Sequence, residues 1–367
     1  MKIAVLGAGH GGQAMAADLT LMEHEVRFAA VPEHAGNLVV IKAFGGIYLE
    51  GSTSTGKEPG FAKIHMITDN VADAVKGAEI VMVVAPAFAH ESYMRELVKY
   101  GEPGQLVVFN PGKFAALVFA KMLMDAGRYG ELLIGETDNL IYATRMKGAG
   151  HSWIMGVKSE LYYSAFPSID TARTLYVLLD IFPQFFPARN VFQTSVDDIG
   201  MSLHTVTTLM NASRIEQMGP YKNSHYDITP SLGRVILAVD NERLEVSKAL
   251  RYETFDFLEL YEMNYGVTGK SVHDVIKNVS AYNVMSSPDS LHHRYITEEV
   301  PYGLVPIEAI ARIAGIETPG TASIIQLANM ANDVDYRRTG RSLESMGLAG
   351  LDIEGLIRYV SYGPERS

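Results

Sequence analysis

Short, largely apolar stretches alternate with helical patterns through the first half of the chain. Residues 3–6, 26–30, 80–84 and 106–109 have the apolar density of parallel strands covered on both faces. Between them, residues 13–22, 91–100 and 114–126 repeat their apolar positions at helical spacing. This strand–helix alternation predicts an α/β fold built on a doubly wound, Rossmann-type sheet. Residues 47–49 and 62–67 predict further strands flanking a turn rich in Gly, Ser and Thr.

From about Ser195 onward strand patterns become rare and helical ones dominate. Residues 229–248, 306–314 and 321–332 each read as helix, the first opened by Pro230. The chain therefore divides into a dinucleotide-binding type α/β domain, residues 1–188, and a mainly helical domain, residues 189–367, joined near residues 187–191. A length of 367 residues fits two cores better than one.

Composition narrows the function. The formal net charge of −11 argues against a nucleic-acid partner, which needs a basic face to neutralise phosphates. It leaves small anionic substrates open, because a few local cations make a basic pocket. There is no cysteine, which excludes disulfides, thiolate metal sites and a cysteine nucleophile. No metal site is expected. The opening apolar run breaks at Gly7, so it reads as neither signal peptide nor membrane span, and a cytoplasmic location without membrane association is expected. A homodimer is left open.

The first strand runs directly into Gly7-Ala8-Gly9-His10-Gly11-Gly12, which fits G-x-G-x-x-G and opens a helix. Gly7 permits a tight turn, Gly9 leaves room for a pyrophosphate, and Gly12 lets helix and strand pack closely. The helix start presents free N–H groups and a positive dipole end to phosphates. The cofactor implied is NAD or NADP. The acid that would hold the adenosine ribose is not at the end of the second strand, where Ala30 stands, and Glu33 comes slightly late. No arginine follows to take a 2′-phosphate, so the choice between the two cofactors stays open.

Ligands of such sheets bind outside the carboxyl ends of the strands. Two later ends read Val84-Ala85-Pro86-Ala87 and Phe109-Asn110-Pro111-Gly112-Lys113. Pro86 and Asn110 would border the cofactor, and Lys113 would add a charge for an acid substrate or else be a surface lysine. In the second half, Ser195 to Asp198 reads as a capping box with Asp in place of Glu. The helix it opens carries Gly200, His204, Thr208 and Asn211 on one face. Gly200 removes bulk one turn before the histidine, which would suit a cofactor lying close. A histidine there is either a satisfied, partly buried residue or a group that handles a proton near neutral pH.

These motifs, taken with Gly135-Glu136-Thr137, the run His204 to Arg214, Ile228 to Ser231, Arg294 to Pro306 and Gly340 to Glu344, resemble the opine dehydrogenase family over essentially the whole chain. The resemblance implies a helical domain of 6-phosphogluconate-dehydrogenase-like type. It implies reductive condensation of an L-amino acid with a 2-keto acid, pyruvate above all, to an N-(carboxyalkyl)amino acid, and the reverse reaction. By the same resemblance His204 would be the general acid/base and Arg294 would hold a carboxylate or the cofactor pyrophosphate. Glu136 and Thr137 would line the substrate cleft with Asn211, Glu136 meeting the substrate amine. The family's partner to the histidine is usually Asp; here Glu299 stands in its place, one methylene longer. Ketopantoate reductases and glycerol-3-phosphate dehydrogenases share the two-domain plan but use a catalytic lysine on the second-domain helix. No lysine occurs between Ser195 and Pro220. The remaining alternative is a dinucleotide-binding sensor without chemistry.

Overall fold

A computed structural model describes residues 1–220, 227–279, 282 and 286–364. The chain forms two compact units. The first is Met1–Ser195 with the stretch from Arg358 onward, and the second is Val196–Ile357. The expected boundary at residues 188 and 189 therefore moves, and the C-terminal stretch belongs to the first unit. There Tyr359 packs its ring on Phe166, 5.2 Å between centroids.

The first unit holds both sheets. Its strands are β1 (Lys2–Leu6), β2 (Glu25–Ala29), β3 (Gly46–Gly51), β4 (Phe61–Lys63), β5 (Met66–Thr68), β6 (Ile80–Val83), β7 (Leu106–Phe109), β8 (Leu133–Thr137), β9 (Tyr142–Gly148), β10 (His151–Val157), β11 (Leu161–Phe166) and β12 (Phe185–Pro187). The main sheet runs in the order β12-β11-β8-β7-β6-β1-β2-β5. It is parallel from β8 to β5, and β11 pairs antiparallel with β8. The chain leaves β1 toward β2 on one side and later resumes at β6 on the other. The carboxyl ends of β1 and β6 thus flank the point where strand order reverses, the usual ligand position in such sheets. Residues 3–6 and 80–83 are buried throughout, as strands covered on both faces must be.

A smaller sheet, β4-β3-β10-β9, packs on the first helix, His10–Leu21. The contact includes Asp18, whose carboxylate accepts from the Tyr142 hydroxyl at 2.7 Å and the Ser54 N–H at 3.1 Å. Burial raises the Asp18 pKa against the pull of those bonds. Periodicity alone merged β4 and β5 into a single strand; they belong to different sheets because the chain turns between Lys63 and Met66.

The second unit is helical. Its main helices are Gly200–Met210, Pro230–Ala249, Phe257–Tyr265, Val272–Asn278, Val305–Ile313 and Pro319–Asn332. Thr229 caps the longest through the Leu232 N–H, with Pro230 at its first position. A capping box does occur, but at Asp256 and Glu259. The box expected at Ser195–Asp198 is absent. A short helix, Val191–Val196, already covers Ser195, and Asp198 instead accepts from the Gly200 N–H at 2.8 Å. Before Val305 the chain makes a π-helical turn, Val300–Leu304, which sets Glu299 at its start. Among the described residues no helix is long and apolar enough to cross a membrane.

The core of this unit encloses a charge cluster. Arg243 donates to Asp240 through Nε at 2.8 Å, lies 3.4 Å from Asp197 and donates to the Phe255 carbonyl at 2.8 Å. Burial works against its charge, but Asp240 and Asp197 outweigh that and raise its pKa. Removing one member leaves a buried charge uncompensated. Arg243→Met should therefore cost about 3–5 kcal/mol of stability in urea denaturation, and Asp240→Asn on that background should recover part of it. Equal stability of the wild type and Arg243→Met would show that the cluster contributes little.

Candidate active site

The glycine turn behaves as its spacing demands. Gly7 has φ of +126°, and a Cβ there would lie 2.1 Å from the Val84 carbonyl oxygen. A Cβ on Gly12 would lie 1.7 Å from the Gly7 carbonyl oxygen, so helix and strand touch backbone to backbone. Gly9 differs: a Cβ there meets nothing within 4 Å, and the residue is exposed. The space that its missing side chain leaves is open to a ligand. Gly9 caps the helix without a side-chain bond, and the first turn carries no acid. An anionic pyrophosphate fits those observations. The turn is held from behind, where the Ala8 carbonyl accepts from the buried Gln13 amide at 2.9 Å and the Asn37 amide at 2.8 Å. His10 is exposed at the helix start, and Gly11 packs against Leu140. Glu33 sits exposed in a short helix, Pro32–His34, beyond the end of β2.

Pro86 follows β6 and opens the next helical turn. Asn110, at the end of β7, is buried and donates to the Val108 carbonyl at 3.1 Å. The Thr137 hydroxyl lies 3.2 Å from its Oδ1 and donates to the Asn139 carbonyl at 2.7 Å. Both side chains thus tie the ends of neighbouring strands together. Lys113 is not a surface lysine: it is 5% exposed, with φ of +49°.

Glu136 requires a larger correction. It is fully buried, and its Oε1 accepts from Thr194 at 2.8 Å and Ser195 at 2.5 Å. Oε2 accepts from the Ala116 N–H at 2.9 Å, in the first turn of the helix Ala115–Asp125. Ser195 in turn accepts from the Phe114 N–H at 2.6 Å. Gly112 completes the fit, since a Cβ there would lie 2.4 Å from the glutamate side chain. Glu136 is a helix-start anchor with its oxygens occupied, so it does not stand available to a substrate amine. The family resemblance implies a cleft position for Glu136; the hydroxyls that claim its carboxylate lie far along the sequence.

In the second unit His204 and Glu299 meet. His204 Nδ1 lies 3.0 Å from Glu299 Oε1, with the imidazole side chain 25% exposed and the carboxylate side chain 4% exposed. A carboxylate only accepts, so Nδ1 carries the proton and Nε2 is the basic nitrogen of the neutral ring. The extra methylene of Glu is accommodated. Tyr295 stacks on the imidazole at 3.8 Å between centroids and 4° between planes, and His293 meets Tyr295 edge-on. The ring is therefore fixed in direction by one partner and in plane by another. Gly200 serves this arrangement: a Cβ there would come 3.2 Å from the imidazole and 2.8 Å from Asp198. The missing side chain leaves room for the imidazole.

Arg294 is half-exposed and donates to the buried Glu298 at 3.0 Å. Burial opposes its charge, yet Glu298 and Glu299 prevail and raise its pKa, while burial and that guanidinium lower the pKa of His293. His204 also borders a cavity of about 100 Å³ shared with Thr207, Thr208 and Asn211. Among the described residues no cluster of acids and histidines suits a metal ion.

Residues 187–332 match the family model described as NAD/NADP octopine/nopaline dehydrogenase, alpha-helical domain, and residues 2–108 match one described as NADP oxidoreductase coenzyme F420-dependent. The opine dehydrogenase of Arthrobacter sp. (strain 1C) is 32% identical over 96% of this chain and 97% of its own. The chain belongs to the opine dehydrogenase family. Its fold is that of octopine dehydrogenase structures solved with NADH and L-arginine (TM-score 0.78) and with NADH and pyruvate (TM-score 0.75). Each of these is 20% identical and covers 100% of this chain and 98% of the other. As an opine dehydrogenase the protein is an oxidoreductase that uses NAD or NADP. The glycine turn is where this opine dehydrogenase would hold the pyrophosphate. Tyr295 escaped sequence reasoning although it lies between Arg294 and Glu299, because stacking leaves no spacing pattern. Thr207 escaped because its neighbour Thr208 better fitted the polar stripe.

Two sets of variants test this geometry. Gly9→Ala should fold with an unchanged melting temperature yet weaken NADH binding about tenfold or more, at least about 1.4 kcal/mol. Gly12→Ala should instead lose stability, because backbone must move. Glu136→Ala should cost about 2–4 kcal/mol in thermal or urea unfolding by stranding buried donors. Glu136→Gln should cost less and leave the KM for an amine substrate near that of the wild type. A large KM effect without a stability loss would return Glu136 to the substrate site.

Proposed function

We propose that this opine dehydrogenase joins the amine of an L-amino acid to the carbonyl of a 2-keto acid, pyruvate first among them, and reduces the product to a secondary amine dicarboxylate. The observation that best supports this reading is the His204–Glu299 pair stacked on Tyr295 in a chain of this family. Octopine dehydrogenase, whose fold this chain shares, has been solved with NADH and L-arginine and with NADH and pyruvate.

The chemistry makes defined demands. Amine and ketone condense with loss of water to an imine, whose carbon then accepts hydride. When bound, the reduced nicotinamide supplies that hydride. The protein must hold the two reactants together and move protons. With Nδ1 committed to Glu299, Nε2 is the atom that would accept a proton from the attacking amine and deliver one to the departing oxygen. Glu299 would stabilise the imidazolium while that proton is held. Stacking on Tyr295 keeps the ring from turning, so successive transfers use the same nitrogen. A lysine-based reduction of the ketopantoate type lacks its catalytic group on this helix.

His204→Ala should lower turnover by roughly 10²–10⁴-fold while NADH binding, followed by its fluorescence, stays near wild type. NADH or NADPH oxidation should require keto acid and amino acid together. Oxidation with keto acid alone at full rate would point to a simple keto-acid reductase, and undiminished turnover in His204→Ala would remove the histidine from the mechanism.

A further inference from the structure

The cavity beside His204 has a composition that the reaction itself does not explain. Apart from the histidine its wall is largely apolar, with Leu203, Ile215, Ile228 and Ile276 prominent. Asp227 is the one carboxylate among the described wall residues, and its side chain is 2% exposed. That carboxylate forms an ion pair with Arg214, which is not part of the wall. The cavity therefore faces a charge that is already neutralised from outside it. A second observation points to a ligand. The hydroxyl oxygens of Thr207 and Thr208 are buried without a hydrogen-bond partner, and both residues line the cavity. Threonines within helices commonly turn their hydroxyl to the carbonyl four residues earlier, as Thr205 does to Met201. Thr208, 1% exposed, does not. Buried polar groups are normally paired, so these two hydroxyls await a partner that the described residues do not provide.

We infer that this cavity receives the side chain of the amine substrate and that the Arg214–Asp227 pair restricts it to uncharged side chains. The inference rests on the opine dehydrogenase reading above, since it takes His204 as the reacting end of the site. Thr207 and Thr208 lie three and four residues beyond His204, one turn along the same helix, where atoms of a bound amino acid past its reacting nitrogen would reach. A guanidinium or ammonium entering the cavity would lose its water and find Asp227 taken. A carboxylate would lose its water and find no lysine or arginine among the described wall residues. An uncharged side chain pays neither cost, and polar atoms of the substrate can satisfy the threonines.

The test uses the full-length enzyme with NADH and pyruvate and compares kcat/KM for L-norvaline, L-leucine, L-methionine and L-phenylalanine with that for L-arginine, L-lysine and L-glutamate. The best uncharged amine should exceed every charged one by about 100-fold or more, the order expected when a site leaves a buried charge unpaired. Arg214→Met, which removes that ion pair, should raise arginine and lysine relative to the uncharged amines by about tenfold, and Arg214→Lys should restore the wild-type order. Thr208→Val should raise the KM for the amine several-fold and leave that for pyruvate unchanged. A wild type that prefers arginine, lysine or glutamate overturns this inference and leaves the opine dehydrogenase reading intact, as does an amine order that Arg214→Met does not move. No turnover with any amine would remove that reading and this inference with it.

Discussion

The chemistry proposed for the second unit depends on one hydrogen bond, between a buried glutamate and the Nδ1 edge of an imidazole. That bond decides which nitrogen is basic. It also gives a buried carboxylate the partner without which its charge would be costly. Its surroundings support the arrangement. Tyr295 fixes the ring plane, Gly200 withholds a side chain where the ring lies, and Glu298 accepts from Arg294 beside it.

The first unit solves a similar problem for a different end. Its glycine turn needs backbone placed within contact distance of backbone, and Gly7 and Gly12 permit this. The strand ends beside it must be rigid, and buried polar side chains provide that rigidity. Asn110 and Thr137 lash β7 to β8, and Glu136 fastens a helix start to the hydroxyls of Thr194 and Ser195. Here, residues of the kind that catalysis would also use hold the ends of neighbouring strands together. The two uses are separated by whether the oxygens already have donors.

That distinction explains what the sequence disclosed. Local patterns were legible: the buried runs of β1 and β6, the glycine spacing, the helix of His204 and the polar stripe that faces its cavity. The pairing of His204 with Glu299, 95 positions apart, came from resemblance rather than from spacing. Glu136 was misread because a carboxylate in a conspicuous triplet looks the same whether it meets a substrate or Ser195, which lies 59 positions away. Lys113 was undecidable because burial of a turn residue depends on what the fold lays over it. The capping box at Ser195 failed for the same reason: its hydroxyl had a better partner elsewhere.

The π-helical turn at Val300–Leu304 has a consequence for how this segment tolerates change in length. Such a turn holds one residue more than the α-helix it leads into, and one residue corresponds to about 100° of rotation. Deleting a single residue there would let the ladder relax to regular α-helix while swinging Glu298 and Glu299 around the axis, away from the guanidinium and the imidazole they serve. The helix would gain regularity and the histidine would lose the hydrogen bond that orients it, so this widened turn ought to resist shortening even where surface loops of the same protein accept it.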